Sequence, residues 1–220
     1  MPAVLRLVVV AVLGVAIGLP VVARGAVVID SILVRVYDNA GVPTAELTDA
    51  LKHSYEILRR ADVTVDWAQC PSHRDGSVPA ICDAPPGRGE IVVRLIEGAE
   101  KDRDRRPLGQ PLLDPSSGRG VFATVFMNRV KRFADVAQYP RSIVLGRAVA
   151  HEIGHLLLGT ASHSETGLMR EVWTVEQLVK NRPEDWQFSP SQTGELRSAW
   201  LTGGSLASKG QPTSTRRPRT

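Results

Sequence analysis

Apolar positions along the chain follow two periods. Residues 27–37, VVIDSILVRVY, alternate and are rich in β-branched side chains, which predicts a strand. Residues 63–67, 90–96 and 121–127 predict three more. Between the first two strands, Thr44 is a fair N-cap, and Leu47, Leu51, Tyr55 and Leu58 fall on one helical face, so a helix should pack on a sheet. A longer helical pattern starts at Arg141. Within it Leu145, Val149, Ile153 and Leu157 recur every four residues and predict a core stripe, and Gly159 follows the last apolar residue as a left-handed stop. Further on, Thr174 with Glu176 and Gln177 reads as the opening of a short helix, and Ser189-Pro190 followed by Gln192, Leu196 and Trp200 as another. The fold class expected is α+β: a twisted, mostly β sheet with an N-terminal helix, a central helix over 141–158 and a small C-terminal subdomain.

The two ends of the chain break this pattern. Residues 1–25 carry one early charge at Arg6, an apolar run over 7–22, then Ala23-Arg24-Gly25, which is the grammar of an export signal cleaved before Ala26, or after Ala23 as the second choice. An uncleaved membrane anchor is the rival reading, because the run sits at the lower edge of what spans a bilayer. Residues 203–220 are rich in Gly, Ser, Pro and Arg and read as a disordered basic tail. That leaves 26–202 as one domain, exported to the periplasm or secreted, with no stable membrane association once the signal is removed. Residues 98–120 are charged, proline-bearing and without sustained periodicity, so they read as a long surface loop bordering a cleft. Asp102, Asp104 and Asp114 lie in or beside it, but basic residues share the segment and no calcium-loop spacing occurs.

Composition alters this picture in two places. The only cysteines are Cys70 and Cys82, and an even count in an exported chain points to a disulfide closing a loop rich in turn formers. A second zinc site of Cys70, Cys82 and His73 is the weaker alternative, having three candidate ligands and no CxxC spacing. The net charge of +4, without a basic helix or interleaved aromatics, argues against a nucleic-acid partner. A monomer is expected.

The chemistry lies in 141–169. His151 and His155 are four residues apart on one helical face, the bite a tetrahedral zinc needs from two nitrogen ligands. Glu152 sits about 100° around the helix from His151, within reach of a water in an open metal position. After the turn at Gly159, His163 returns toward the metal as a third ligand. His53, in the first helix, reads as local packing or surface. Tyr139 reads as a surface tyrosine, which leaves the oxyanion stabiliser unassigned.

These residues resemble the zincin metallopeptidases and, within them, the metzincins, whose pattern is HExxHxxGxxH followed by a methionine in a turn. His151, Glu152, His155, Gly159 and His163 match by type, and Met169 in Gly167-Leu168-Met169 looks like the methionine turn. Three residues rather than two separate His155 from Gly159, and three rather than two separate Gly159 from His163. The short distance to the methionine is similar to the archaemetzincin-like branch, without the cysteines that branch carries near its third histidine. The resemblance implies a zincin-like fold and a strand, corresponding to 121–127, that forms the upper edge of the cleft and pairs with an extended peptide. It also implies Zn2+ held by His151, His155 and His163, with Glu152 as general base on the zinc-bound water and a peptide or protein as substrate. Two other readings stay open. A downstream carboxylate, Glu171 or Glu176, is the third ligand in one; in the other, zinc only staples a non-catalytic binding or structural domain.

Overall fold

The structure, a computed structural model, describes residues 31–71, 79–87, 89–98, 107–114, 116 and 120–201. The expected export signal, the basic tail, His73, Asp102 and Asp104 lie outside the described residues. Five strands form one sheet: β1 (Ile32–Asp38), β2 (Val65–Pro71), β3 (Ile91–Ile96), β4 (Gly109–Leu112) and β5 (Phe122–Phe126). Their order is β2-β1-β3-β5-β4; the first four are parallel, and β4 runs antiparallel to β5 at the edge. Six α-helices are described: α1 (Thr44–Arg60), α2 (Ala80–Asp83), α3 (Met127–Ala137), α4 (Arg141–Leu158), α5 (Val175–Lys180) and α6 (Pro190–Leu201), with one 3-10 turn over Pro183–Trp186.

Register explains which face is core. Val34 pairs with Ile91, Val36 with Val93, Val93 with Ala123 and Leu95 with Val125, so buried side chains line up across the sheet on the face covered by helices. On the other face Arg35 donates to the carbonyls of Ile81 and Ala84 and pairs with Glu90, while the Tyr37 hydroxyl donates to the Cys82 carbonyl. The disulfide between Cys70 and Cys82 is present and ties the end of β2 to α2. At the end of β1, the Asp38 carboxylate accepts from the N–H groups of Ala40, Gly41 and Val42, which turns the chain into α1.

Several expectations need correction. Thr44 is the first helical residue of α1, not its cap; Pro43 precedes the helix and no side chain caps it. The buried face of α1 runs through Leu47, Ala50, Leu51, Ser54, Ile57 and Leu58, with Tyr55 only half-buried beside it. The stretch read as a long loop contains β4, and this strand, rather than the one at 121–127, forms the edge. The chain also turns helical at Met127, because Met127, Val130, Ala134 and Ala137 recur at helical spacing and are buried. Both C-terminal helices begin as expected: Thr174 and Gln177 form a capping box, and Ser189 and Gln192 bond reciprocally before α6.

Candidate active site

Helix α4 crosses the middle of the molecule and is buried from Val144 to Leu157, polar residues included. The expected stripe of Leu145, Val149, Ile153 and Leu157 is core, yet the opposite side is covered as well. Residues 167–188 close over it. Gly154 permits this approach: a methyl there would lie 2.7 Å from the Met169 sulfur and 2.6 Å from the Phe188 ring. Met169 is fully buried against the helix that carries the histidines. The helix ends at Gly159, left-handed at φ 66°, and its N–H bonds the His155 carbonyl.

That turn brings His163 back. The Nε2 of His155 lies 3.0 Å from Nε2 of His151 and 3.2 Å from Nε2 of His163. Among the described residues these three form the one His/Cys/Asp/Glu group arranged to hold a metal ion; His151 and His155 are buried and His163 is exposed. His53 is elsewhere, at the crossing of α1 and α4. Glu171 and Glu176 are exposed and outside the group, and Glu176 pairs with Lys180.

The hydrogen bonds decide the tautomers. His151 Nδ1 lies 2.8 Å from the Leu168 carbonyl and His155 Nδ1 2.7 Å from the Thr160 carbonyl. A carbonyl only accepts, so both Nδ1 atoms carry the proton and both Nε2 atoms present lone pairs. Burial, and next the neighbouring His155, push the His151 pKa down to about 3, while burial lowers that of His155. Two buried neutral imidazoles therefore aim lone pairs at each other across 3.0 Å, an arrangement that is repulsive unless a cation lies between them. Nitrogen donors around a tetrahedral zinc with Zn–N of about 2.0–2.1 Å stand roughly 3.3 Å apart, so the set fits Zn2+.

Glu152, the residue next to His151, is 2 % exposed, and its Oε2 has no hydrogen-bond partner. Burial pushes its pKa up to about 8. It lies under the sheet edge, where a methyl on Gly109 would come 2.6 Å from its Cδ.

Sequence reasoning missed the groups that orient His151. The Leu168 carbonyl that accepts from His151 also accepts from the Trp173 indole at 3.2 Å, and the Trp173 ring stands edge-on to His151 at 5.7 Å. Trp173 packs in turn on Trp186, and Trp186 on the buried Arg147 guanidinium at 3.7 Å. Arg147 sits one turn before His151 with its guanidinium also over the Tyr139 ring at 5.4 Å, and burial lowers its pKa to about 10. Tyr139 is thus a half-buried packing partner rather than a surface residue. The i, i+4 spacing of Arg147 and His151 was the available signal.

No family model matches the chain, and no curated protein does. Solved structures do. Archaemetzincin from Methanopyrus kandleri superposes with a TM-score of 0.52 at 15% identity, covering 81% of this chain and 98% of that one. A zinc-dependent peptidase from Methanocorpusculum labreanum gives 0.46 at 12% identity, covering 74% and 99%. The chain is similar in fold to the first of these.

Proposed function

We propose that the protein is an exported zinc-dependent endopeptidase, with 26–202 as its catalytic unit and a likeness to the metzincins. The observation that carries this reading is the convergence of three imidazole Nε2 atoms, two of them fixed as lone-pair donors, next in the chain to a buried carboxylate whose Oε2 has no hydrogen-bond partner. His151, His155 and His163 hold the metal. A bound Zn2+ supplies Lewis-acid polarisation of a carbonyl and acidifies a coordinated water. Glu152 accepts the proton of the attacking water and returns it to the leaving amine. Its carboxylate lies against Gly109 of β4 and its Oε2 has no hydrogen-bond partner, so that oxygen is free to make the bond. The Leu168 and Thr160 carbonyls keep the imidazoles in the ligating tautomer, and Trp173 helps hold Leu168 in place. Met169 and Phe188 support the site from below.

Peptide as substrate is supported by β4 beside Glu152, which among the described residues has no strand on its outer side; an edge of this kind can take up an extended chain as an added strand. Export is supported by the apolar grammar of 1–25 and by the Cys70–Cys82 disulfide, a bond of oxidising compartments. Among the described residues no helix is long and apolar enough to cross a membrane. The test is a metal-dependent digest of a peptide library. Glu152→Gln should lower cleavage by about 10²–10⁴-fold while zinc stays near one per chain. If that variant loses nothing measurable and chelation unfolds the protein, zinc is only a structural staple.

A further inference from the structure

We propose that Arg147 is a positioning residue for the metal ligand His151, acting through the stacked pair Trp186 and Trp173 rather than as core filling or as a charge. The proposal rests on the metal-site reading above and deepens it by naming the side chain that fixes one of the ligands.

Arg147 is an expensive residue for its place. It lies on α4 one turn before His151 and is 6 % exposed. Asp185, whose charge acts on it, pairs with Arg170 at 3.3 Å, and Nη1 of Arg147 is buried with no hydrogen-bond partner. For stability alone, an apolar side chain of similar volume serves as well or better at such a position. What the guanidinium adds is a flat cationic face and directional donors.

Both are used. The Cζ atom stands 3.7 Å from the centre of the Trp186 ring, and Nη2 donates to the Asn181 side chain, on the left-handed residue that ends α5. Trp186 is buried and its indole N–H has no hydrogen-bond partner, so the guanidinium over its face and Trp173 at its edge orient the ring. From Trp186 two routes lead to one residue. Trp173, 5.2 Å from it, donates to the Leu168 carbonyl at 3.2 Å. Gln187, the next residue in the chain, accepts the Leu168 N–H at 2.8 Å. Leu168 is thereby held at both ends, and its carbonyl accepts from His151 Nδ1. His155 is the internal contrast, because its Nδ1 donates to Thr160, outside this network. Loosening Arg147 should disturb one ligand and spare the other.

Zinc binding is titrated against a competing chelator on the full chain, without substrate, beside denaturant unfolding. Arg147→Met keeps an apolar, polarizable chain on the ring and strands no buried acceptor, since Asn181 is exposed. Its unfolding midpoint should hold or rise, while its zinc Kd weakens roughly threefold to tenfold. The direction is diagnostic, because loss of a cation near the metal would by itself tighten binding. Arg147→Lys, which keeps the charge without the flat face, should weaken zinc by a similar factor. In a Trp173→Phe background the Arg147→Met factor should shrink, one route being already cut. In zinc-loaded Arg147→Met, the His151 Nδ1 proton should exchange with water about threefold faster or more, with that of His155 unchanged. Unchanged or tighter zinc binding in Arg147→Met overturns the proposal, as does a lowered midpoint or an equal effect at His155, either of which marks general loosening. Should Arg147→Met fail to fold, Asn181→Gly, which keeps the left-handed backbone, decides: weaker zinc binding supports the proposal and unchanged binding overturns it. If the wild type binds zinc and no variant alters it, the role of Arg147 falls alone. If the wild type binds none, the metal-site reading falls with it.

Discussion

The face of the sheet carrying α2 and the edge formed by β4 are treated in opposite ways. On the face opposite α1 and α4, the Arg35–Glu90 pair, the bonds from Arg35 and Tyr37 to the carbonyls of Ile81, Ala84 and Cys82, and the Cys70–Cys82 disulfide bind α2 and its flanking residues onto the sheet. At the β4 edge a four-residue strand carries a glycine and a proline, and nothing described pairs with its outer side. Among the described residues, the cross-links concentrate away from the histidines, while the outer side of β4, beside Glu152, has no strand partner. Stability and reactivity are thus separable by substitution.

The largest separating effect is expected from Arg35→Ala. Breaking a buried pair costs about 3–5 kcal/mol, since Glu90 and three carbonyls lose their donor. Denaturant unfolding should register this loss, while the folded fraction keeps its KM. Replacing both cysteines by serine should cost about 3 kcal/mol by the loop-closure estimate, again with zinc affinity retained. A loss of zinc affinity in either variant would show that this face and the histidine site are coupled.

Metal removal sharpens the contrast from the other side. The folded pKa of His151 lies at about 3, below its ordinary 6.5, so the unfolded chain binds the extra proton. The contribution is fully present above pH about 6.5 and is lost as pH falls toward 3. The metal-free protein should therefore lose stability over that window, and His151→Asn should flatten the slope. A slope unchanged by His151→Asn would place the acid sensitivity elsewhere. The smallest effect is Gly159→Ala, about 1 kcal/mol for an alanine in the left-handed region. Because that turn aims His163, zinc affinity should fall by more than stability does.

How much could be read from sequence follows the same division. The helix α4, its glycine stop and the three histidines all lie within 141–163 and depend on local spacing, so the sequence pattern pointed to them. Four strands and both C-terminal helix starts were equally local. β4 was hidden because a short edge strand with glycine and proline has no hydrophobic alternation, its worth being set by backbone groups rather than side chains. α3 was hidden differently: its helical spacing begins at Met127, directly on the last residue of a strand, and the apolar run masked the change of period. Trp173, Arg147 and Gly109 act through long-range contacts that no periodicity records.

The central claim is tested most directly by metal coordination. X-ray absorption on the zinc-loaded protein, with titration of zinc into His163→Ala, should show three nitrogen ligands at about 2.0–2.1 Å in the wild type. The variant should bind zinc at least tenfold more weakly. Full affinity in His163→Ala, or a first shell containing a protein carboxylate in place of the third imidazole, would contradict the account.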